Sequence, residues 1–382
     1  MNLYKGIVTT CFTLCLSQVN AQQNAAVSNS EQEGGKTAEL VMAKIKNDIV
    51  QNTKFGGYII GKASASDRDL SSSNKSHTNF DLRLVRLYVD GKVMDFQYKL
   101  QMEVNGVGGT STEKGPRIVD AWAEWQRFGF AKIKFGQFKR AFTFENPMNP
   151  WDVGFGAYSQ LIDKLAGMND RVGEHASNGR DLGIQVQGDF LPSGHDRHNL
   201  LHYQVGVYNG QGINHADANN SKDIIGGISV LPVKNLAIGV FGWSGDYTKN
   251  GVTVDRNRMA CGLKYDGKWN VRAEYAVSEG HKVSDYSTDE NGNTVVSGSD
   301  KADAWYIGVG APVTEKLKVY AKWDVYRDTK SWSSQKSIYA LSANYYFCKN
   351  LKLQANYSYT CDKTTVADGH YNTFDMQLYV RF

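Results

Sequence analysis

The stretch Phe374-Asp375-Met376-Gln377-Leu378-Tyr379-Val380-Arg381-Phe382 decides the fold. Side chains of a β-strand alternate between two faces. Phe374, Met376, Leu378, Val380 and Phe382 therefore share one face, and Asp375, Gln377, Tyr379 and Arg381 share the other. The first face is wholly apolar; the second carries charge. A terminal strand of this pattern, closed by an aromatic residue, predicts an outer-membrane β-barrel with apolar side chains toward lipid and polar ones toward the lumen. An amphipathic strand of a soluble sandwich has the same pattern, so the rest of the chain must decide.

The N-terminus agrees. Residues 1–21 hold one positive charge, Lys5, an apolar stretch at 6–16, and a small-residue ending, Val19-Asn20-Ala21. This is the pattern of a secretory signal peptide cleaved after Ala21. The apolar stretch is too short to span a bilayer, and no later segment approaches the roughly 20 apolar residues a spanning helix needs. Membrane insertion then requires a closed barrel, because in lipid only helices and closed barrels satisfy their own backbone. Gly and Tyr are abundant, Pro is scarce and mean hydropathy is negative. Half of every barrel strand is polar, so a barrel looks soluble on such a scale. The formal net charge of +4 is too weak to suggest nucleic acid. Cys11 and Cys15 leave with the signal peptide. Cys261, Cys348 and Cys361 are expected as free thiols: they are odd in number, Cys348 and Cys361 sit at opposite ends of one predicted strand and so beyond disulfide reach, and the three lack the clustered spacing of a metal site. Nothing calls for a cofactor.

The expected organisation is a signal peptide at 1–21, a polar periplasmic lead-in at 22–53 and a transmembrane barrel at 54–382. Leu40, Val41, Ile45 and Ile49 predict a short helix within 37–50. Beyond residue 54 the pattern is strands alone: 54–62, 78–90, 94–104, 117–127, 130–138, 180–190, 199–208, 223–231, 235–243, 256–266, 269–277, 303–313, 316–326, 335–347, 351–360 and 371–382. About sixteen segments of about ten residues match the length of a tilted transmembrane strand. Short connections, such as Gly91-Lys92, Gly129 and Gly267-Lys268, alternate with long polar ones, such as 106–116, 244–255 and 278–302. Outer-membrane barrels alternate in this way between periplasmic turns and outer loops. Trp125, Trp243, Trp269, Trp305, Phe347 and Tyr359 fall near strand ends, where interfacial girdles belong.

One connection is anomalous. About forty residues, 139–179, join two strands, and loops of that length are functional or disordered. This one holds Phe142, Phe144, Trp151, Phe155 and Tyr158, too many aromatics for disorder. Folded inward, it would narrow a sixteen-stranded lumen, and its charges would set selectivity. Lys139, Arg140, Lys164 and Arg171 are the candidates there. Arg86, Lys99, Lys132, Lys134, Lys264, Arg272, Lys318, Lys322 and Lys352 take the polar parity of their strands, as do Glu103, Asp120, Glu124, Glu274, Asp324 and Asp375. Arg83 has the opposite parity to Arg86, so both can face the lumen only across a β-bulge. A basic excess at Arg83, Arg86, Lys99, Lys132, Lys134, Lys139 and Arg140 favours anions.

Several segments resemble the phosphate-selective porin O and P family: LRLVRLYVDGKVMDFQYKLQMEV (82–104), IVDAWAEW (118–125), KIKFGQFKRAF (132–142), GRDLGIQVQGDF (179–190) and YQVGVYNGQGIN (203–214). The resemblance covers residues 80–214. It implies a trimeric sixteen-stranded anion channel with an inward third loop, in which Arg83 and Arg86 occupy the basic strand and Lys139 opens the loop. The expected function is passive diffusion of small anionic solutes, phosphate or similar, across the outer membrane, amid lipid and lipopolysaccharide. The alternatives are a general-diffusion porin without anion selectivity and an adhesin or structural barrel. An outer-membrane lipase would need Ser and His together on the lipid face, yet His77, His175, His195, His198, His215, His281 and His370 fall in loops or turns, and His202 takes the lumenal parity.

Overall fold

In the computed structural model of the chain, residues 40–47, 51–68, 76–104, 115–193, 196–364 and 369–382 are described. The expected signal peptide and residues 22–36 lie outside them. Residues 40–47 are helical, within the span where the 37–50 periodicity predicts a helix.

The strands are β1 (Lys54–Ser66), β2 (His77–Val93), β3 (Phe96–Glu103), β4 (Arg117–Phe128), β5 (Ala131–Lys139), β6 (Arg180–Pro192), β7 (Asn199–Tyr208), β8 (Asp223–Val233) and β9 (Leu236–Ser244). Then follow β10 (Asp246–Lys249), β11 (Val252–Asp255), β12 (Asn257–Asp266), β13 (Asn270–Glu279), β14 (Tyr286–Thr288) and β15 (Thr294–Val296). The last five are β16 (Lys301–Pro312), β17 (Leu317–Arg327), β18 (Gln335–Cys348), β19 (Leu351–Asp362) and β20 (His370–Arg381). Sixteen of them close into one antiparallel barrel; β10 pairs with β11, and β14 with β15, as small hairpins within two of the long connections. The barrel closes where β1 meets β20, from Tyr58 opposite Arg381 to Ser66 opposite Thr373. Closure leaves no unpaired strand edge. No helix among the described residues is long and apolar enough to cross a membrane.

Burial is inverted relative to a soluble protein. On β20, Met376 and Leu378 are exposed, whereas Gln377 and Tyr379 are buried. On β9, Ile238 and Val240 are exposed, and Ala237, Phe241 and Trp243 are buried. Apolar residues thus cover the outer surface and polar ones face inward, as a bilayer demands. An aromatic ladder on the long-loop side, Trp305, Trp323, Tyr339 and Tyr359, runs across β16 to β19. Another near the short turns joins Trp125, Phe128, Phe130, Phe190 and Tyr203. Trp243 is no girdle residue. Its parity on β9 is that of buried Phe241, and it lies inside.

One turn shifts. The turn expected at Gly91-Lys92 falls at Met94-Asp95, because Val93 still pairs with Phe96. Gly91 remains in the strand: a Cβ there would meet the Tyr98 hydroxyl at 2.4 Å, so the aromatic ring covers the position. Cys261, Cys348 and Cys361 are free thiols.

Candidate functional site

Residues 140–179 connect β5 to β6 and pack against the polar faces of β13 and β17 to β20. A chain segment without sheet partners must satisfy its backbone otherwise, and here wall side chains do it. Glu274 accepts from the Phe144 and Glu145 amides at 2.7 and 2.9 Å. Asp324 accepts from the Gln160 amide at 3.0 Å, and Asn356 from the Gly156 amide at 3.0 Å. Asn344 and Gln354 donate to the Gly154 carbonyl at 2.9 and 2.8 Å. Arg272 donates to the Val153 carbonyl at 2.9 Å, and Lys352 to the Trp151 carbonyl at 2.8 Å. The polar-face cations Arg272 and Lys352 therefore hold the segment rather than stand free in the lumen. A short helix, Gln160–Leu165, is capped by Ser159 and buries Leu161, Ile162 and Leu165. Phe142 meets Trp243 at 5.5 Å between ring centroids, and Phe144 meets Phe241 at 5.1 Å.

The segment's base is locked by buried charge. Arg140 donates to Glu174 at 3.0 Å and to Asp181 at 2.8 Å. Arg256 bonds Glu174 and, at 2.6 Å, Asp223. Arg258 grips Asp170 through two bonds of 2.6 Å. All three guanidiniums lie within 5 Å of the Trp243 ring, at 4.9, 4.7 and 4.7 Å. Burial alone would lower the Arg140 pKa, but the Glu174 and Asp181 carboxylates outweigh it and raise the value. Two glycines make this junction possible. Gly179 sits at φ +69, and a Cβ there would lie 1.9 Å from the Asn146 Oδ1. Gly136, at φ +125, interrupts the β5 pleat, so Lys139 faces inward although it shares parity with exposed Phe135.

Two cavities lie between this segment and the wall formed mainly by β1 to β7. The one toward the long loops, about 520 Å³, is lined by Arg83, Arg86, Arg117, Lys139, Lys164, Arg180 and Lys336 among others. The one toward the short turns, about 250 Å³, is lined by Lys99, Gln101, Asp120, Lys134, Gln185 and Gln204 among others. Arg86, Lys139, Pro150 and Arg180 line both. These four mark the junction.

The expected bulge is present. Ile60 pairs with Leu84 but Gly61 with Leu82, so Arg83 is the extra residue, and both Arg83 and Arg86 reach the larger cavity. Arg86 is bidentate on Glu103, at 2.8 and 2.6 Å, and Arg180 on Asp120, at 2.8 and 3.0 Å. Lys134 pairs with Glu124 at 2.7 Å and Lys164 with Asp163 at 2.9 Å. Among the described residues, Arg83, Lys99 and Lys139 form no ion pair. Arg83 donates to Gln377 and Tyr379 at 2.7 and 3.0 Å. Lys99 and Lys139 each lie 5.2 Å from a ring, of Tyr88 and Tyr158 respectively.

Three sequence candidates lie elsewhere. Arg140 borders the smaller cavity, but its side chain is fully buried in the base lock. Arg171 is buried against the carbonyls of Gly280 and Ser299. Lys132 pairs with Asp189 at 3.1 Å near the short turns, away from both cavities. Arg180 and Arg117 were not singled out. Parity sends Arg180 outward with Leu182, but Gly179 turns the chain just before it.

Residues 61–221 match the family model described as phosphate-selective porin O and P. No curated protein matches the sequence. Solved structures of similar fold include the anion-selective porin from Comamonas acidovorans, at 14% identity over 86% of this chain and 99% of that one, TM-score 0.62. The outer-membrane channel DcaP of Acinetobacter baumannii is 13% identical over 86% and 97%, TM-score 0.60. Salmonella typhi OmpF, in complex with daunomycin, is 11% identical over 87% and 98%, TM-score 0.61. The barrel thus has an outer-membrane porin fold, and its residues 61–221 are similar to the phosphate-selective porin O and P family.

Proposed function

We propose that the chain forms a passive, water-filled channel preferring small anions, narrowed by residues 140–179 beside Arg86, Lys139 and Arg180. The observation that carries this reading is the series Arg83, Lys139, Lys99. These cations lack carboxylate partners among the described residues, and they follow one another from the larger cavity through the junction into the smaller one. Uncompensated charge along a low-dielectric channel concentrates counter-ions and favours their passage. The anion selectivity of the Comamonas acidovorans porin, similar in fold, agrees with it. Family and fold point to a channel rather than an enzyme. A trimer is the assembly we favour, since a trimer form of Vibrio cholerae OmpT shares the fold.

The second reading is a general-diffusion porin, favoured by Glu103, Asp120 and Glu124, which neutralise the neighbouring cations. Liposome swelling separates the two. Proteoliposomes should swell faster in the salt of a small organic anion than in a neutral solute of equal size. Equal rates would favour general diffusion.

A further inference from the structure

The smaller cavity carries a chemistry of its own. Its three arginines are spent: Arg180 is bidentate on Asp120, Arg86 on Glu103, and Arg140 donates to Glu174 and Asp181. Lys134 is held by Glu124. A bare oxyanion is bound by several donors converging on one centre, and no such set is free here. What remains is spread out. Lys139 stands at the junction and Lys99 deeper in.

Between and around them are amides. Gln185 is engaged, accepting from the Tyr208 hydroxyl at 2.8 Å and donating to Gln187 at 2.7 Å. Gln187 in turn donates to Glu124 at 2.8 Å. Gln101 and Gln204 differ. Both line the cavity, and among the described residues neither amide has a hydrogen-bond partner. Gln101 is also buried, at 3% exposure. A carboxamide offers donors and an acceptor together, as a hydroxyl does, and both amides are open to the cavity they line.

We infer that this cavity is a subsite for hydroxylated organic anions, with the charged end on Lys99 or Lys139 and hydroxyls on Gln101 and Gln204, in preference to inorganic phosphate. The inference rests on the anion-preferring reading above. The charged end is a carboxylate or a phosphate ester, and the test separates these.

The test is block of chloride current through the purified full-length protein in planar bilayers. Gluconate, glucose 6-phosphate, inorganic phosphate and glucose are titrated separately. At least one hydroxylated anion should reach half-block at roughly tenfold lower concentration than inorganic phosphate, about what two modest net hydrogen bonds supply. Gluconate alone doing so assigns the carboxylate; glucose 6-phosphate alone assigns the ester; both doing so assigns the shared chemistry. The pair Gln101→Leu and Gln204→Leu should erase the advantage. Should that double variant not assemble, Gln204→Ala alone must reduce it. An advantage that survives these changes overturns the subsite. So does inorganic phosphate blocking as well as the organic anions, or glucose blocking as well as its 6-phosphate. A wild-type channel without anion preference defeats the functional reading as well, whereas an anion-preferring channel blocked best by inorganic phosphate defeats this inference alone.

Discussion

Lys139 has a different job from its neighbour Arg140, although the sequence offers them as a pair. Lys139 lines both cavities and forms no ion pair among the described residues. Lys139→Glu should therefore move the channel's selectivity toward cations and leave barrel stability nearly unchanged, as expected of a partly exposed side chain. A stable variant with wild-type selectivity would remove Lys139 from the filter. Arg140 is enclosed by Glu174 and Asp181. Removing one partner of a buried charge cluster strands the others, at a cost of about 3–5 kcal/mol. Arg140→Met should lower thermal stability in detergent by that order while changing selectivity little. A variant as stable as wild type would contradict the base lock.

The long connection is held in place by two devices, neither of which the sequence displays. Its apex is fixed where Lys352 donates to the Trp151 carbonyl and lies 4.0 Å from the Tyr379 ring. Lys352→Met should free this end, giving larger current fluctuations and faster proteolysis within 147–158; unchanged traces and cleavage would show that the apex is held otherwise. Nearer the base, burial pushes the Asp170 carboxyl up, but Arg258 outweighs it and holds the pKa below the ordinary 3.8. A depressed carboxylate stabilises above its unfolded pKa, and that stability is lost as pH falls through the folded value. The connection should thus stay locked at about pH 5 and loosen only in stronger acid, as read by protease sensitivity of residues 167–179. Loosening already near that pH would contradict the pairing. Strand existence was legible because alternation is a local, period-two signal, and all sixteen expected segments correspond to barrel strands. The hairpins β10–β11 and β14–β15 were not, being short and polar. Parity failed where a glycine at positive φ breaks the pleat, at Gly179 before Arg180. It correctly demanded the bulge at Arg83. Which cations are neutralised was beyond any local pattern, since Glu103 and Asp120 meet their arginines across strands.

The whole molecule divides its barrel unevenly. The wall from β13 to β20 is largely spent on holding residues 140–179, while β1 to β7 supply most of the cavity lining. Residues 61–221, which carry the family match, include most of this lining and the whole of the long connection. If the barrels assemble as trimers, unheated samples in mild detergent gels should migrate near three times the heated mass; monomer migration without heating would argue against that assembly. The central claim concerns charge along the path, and the reversal potential in a planar bilayer under a KCl gradient tests it most directly. Wild type should show an anion-selective potential, and Arg83→Gln, Lys99→Gln and Lys139→Gln together should bring it close to zero. A wild-type potential that is zero or cation-selective, or an anion-selective one indifferent to all three changes, would contradict the account.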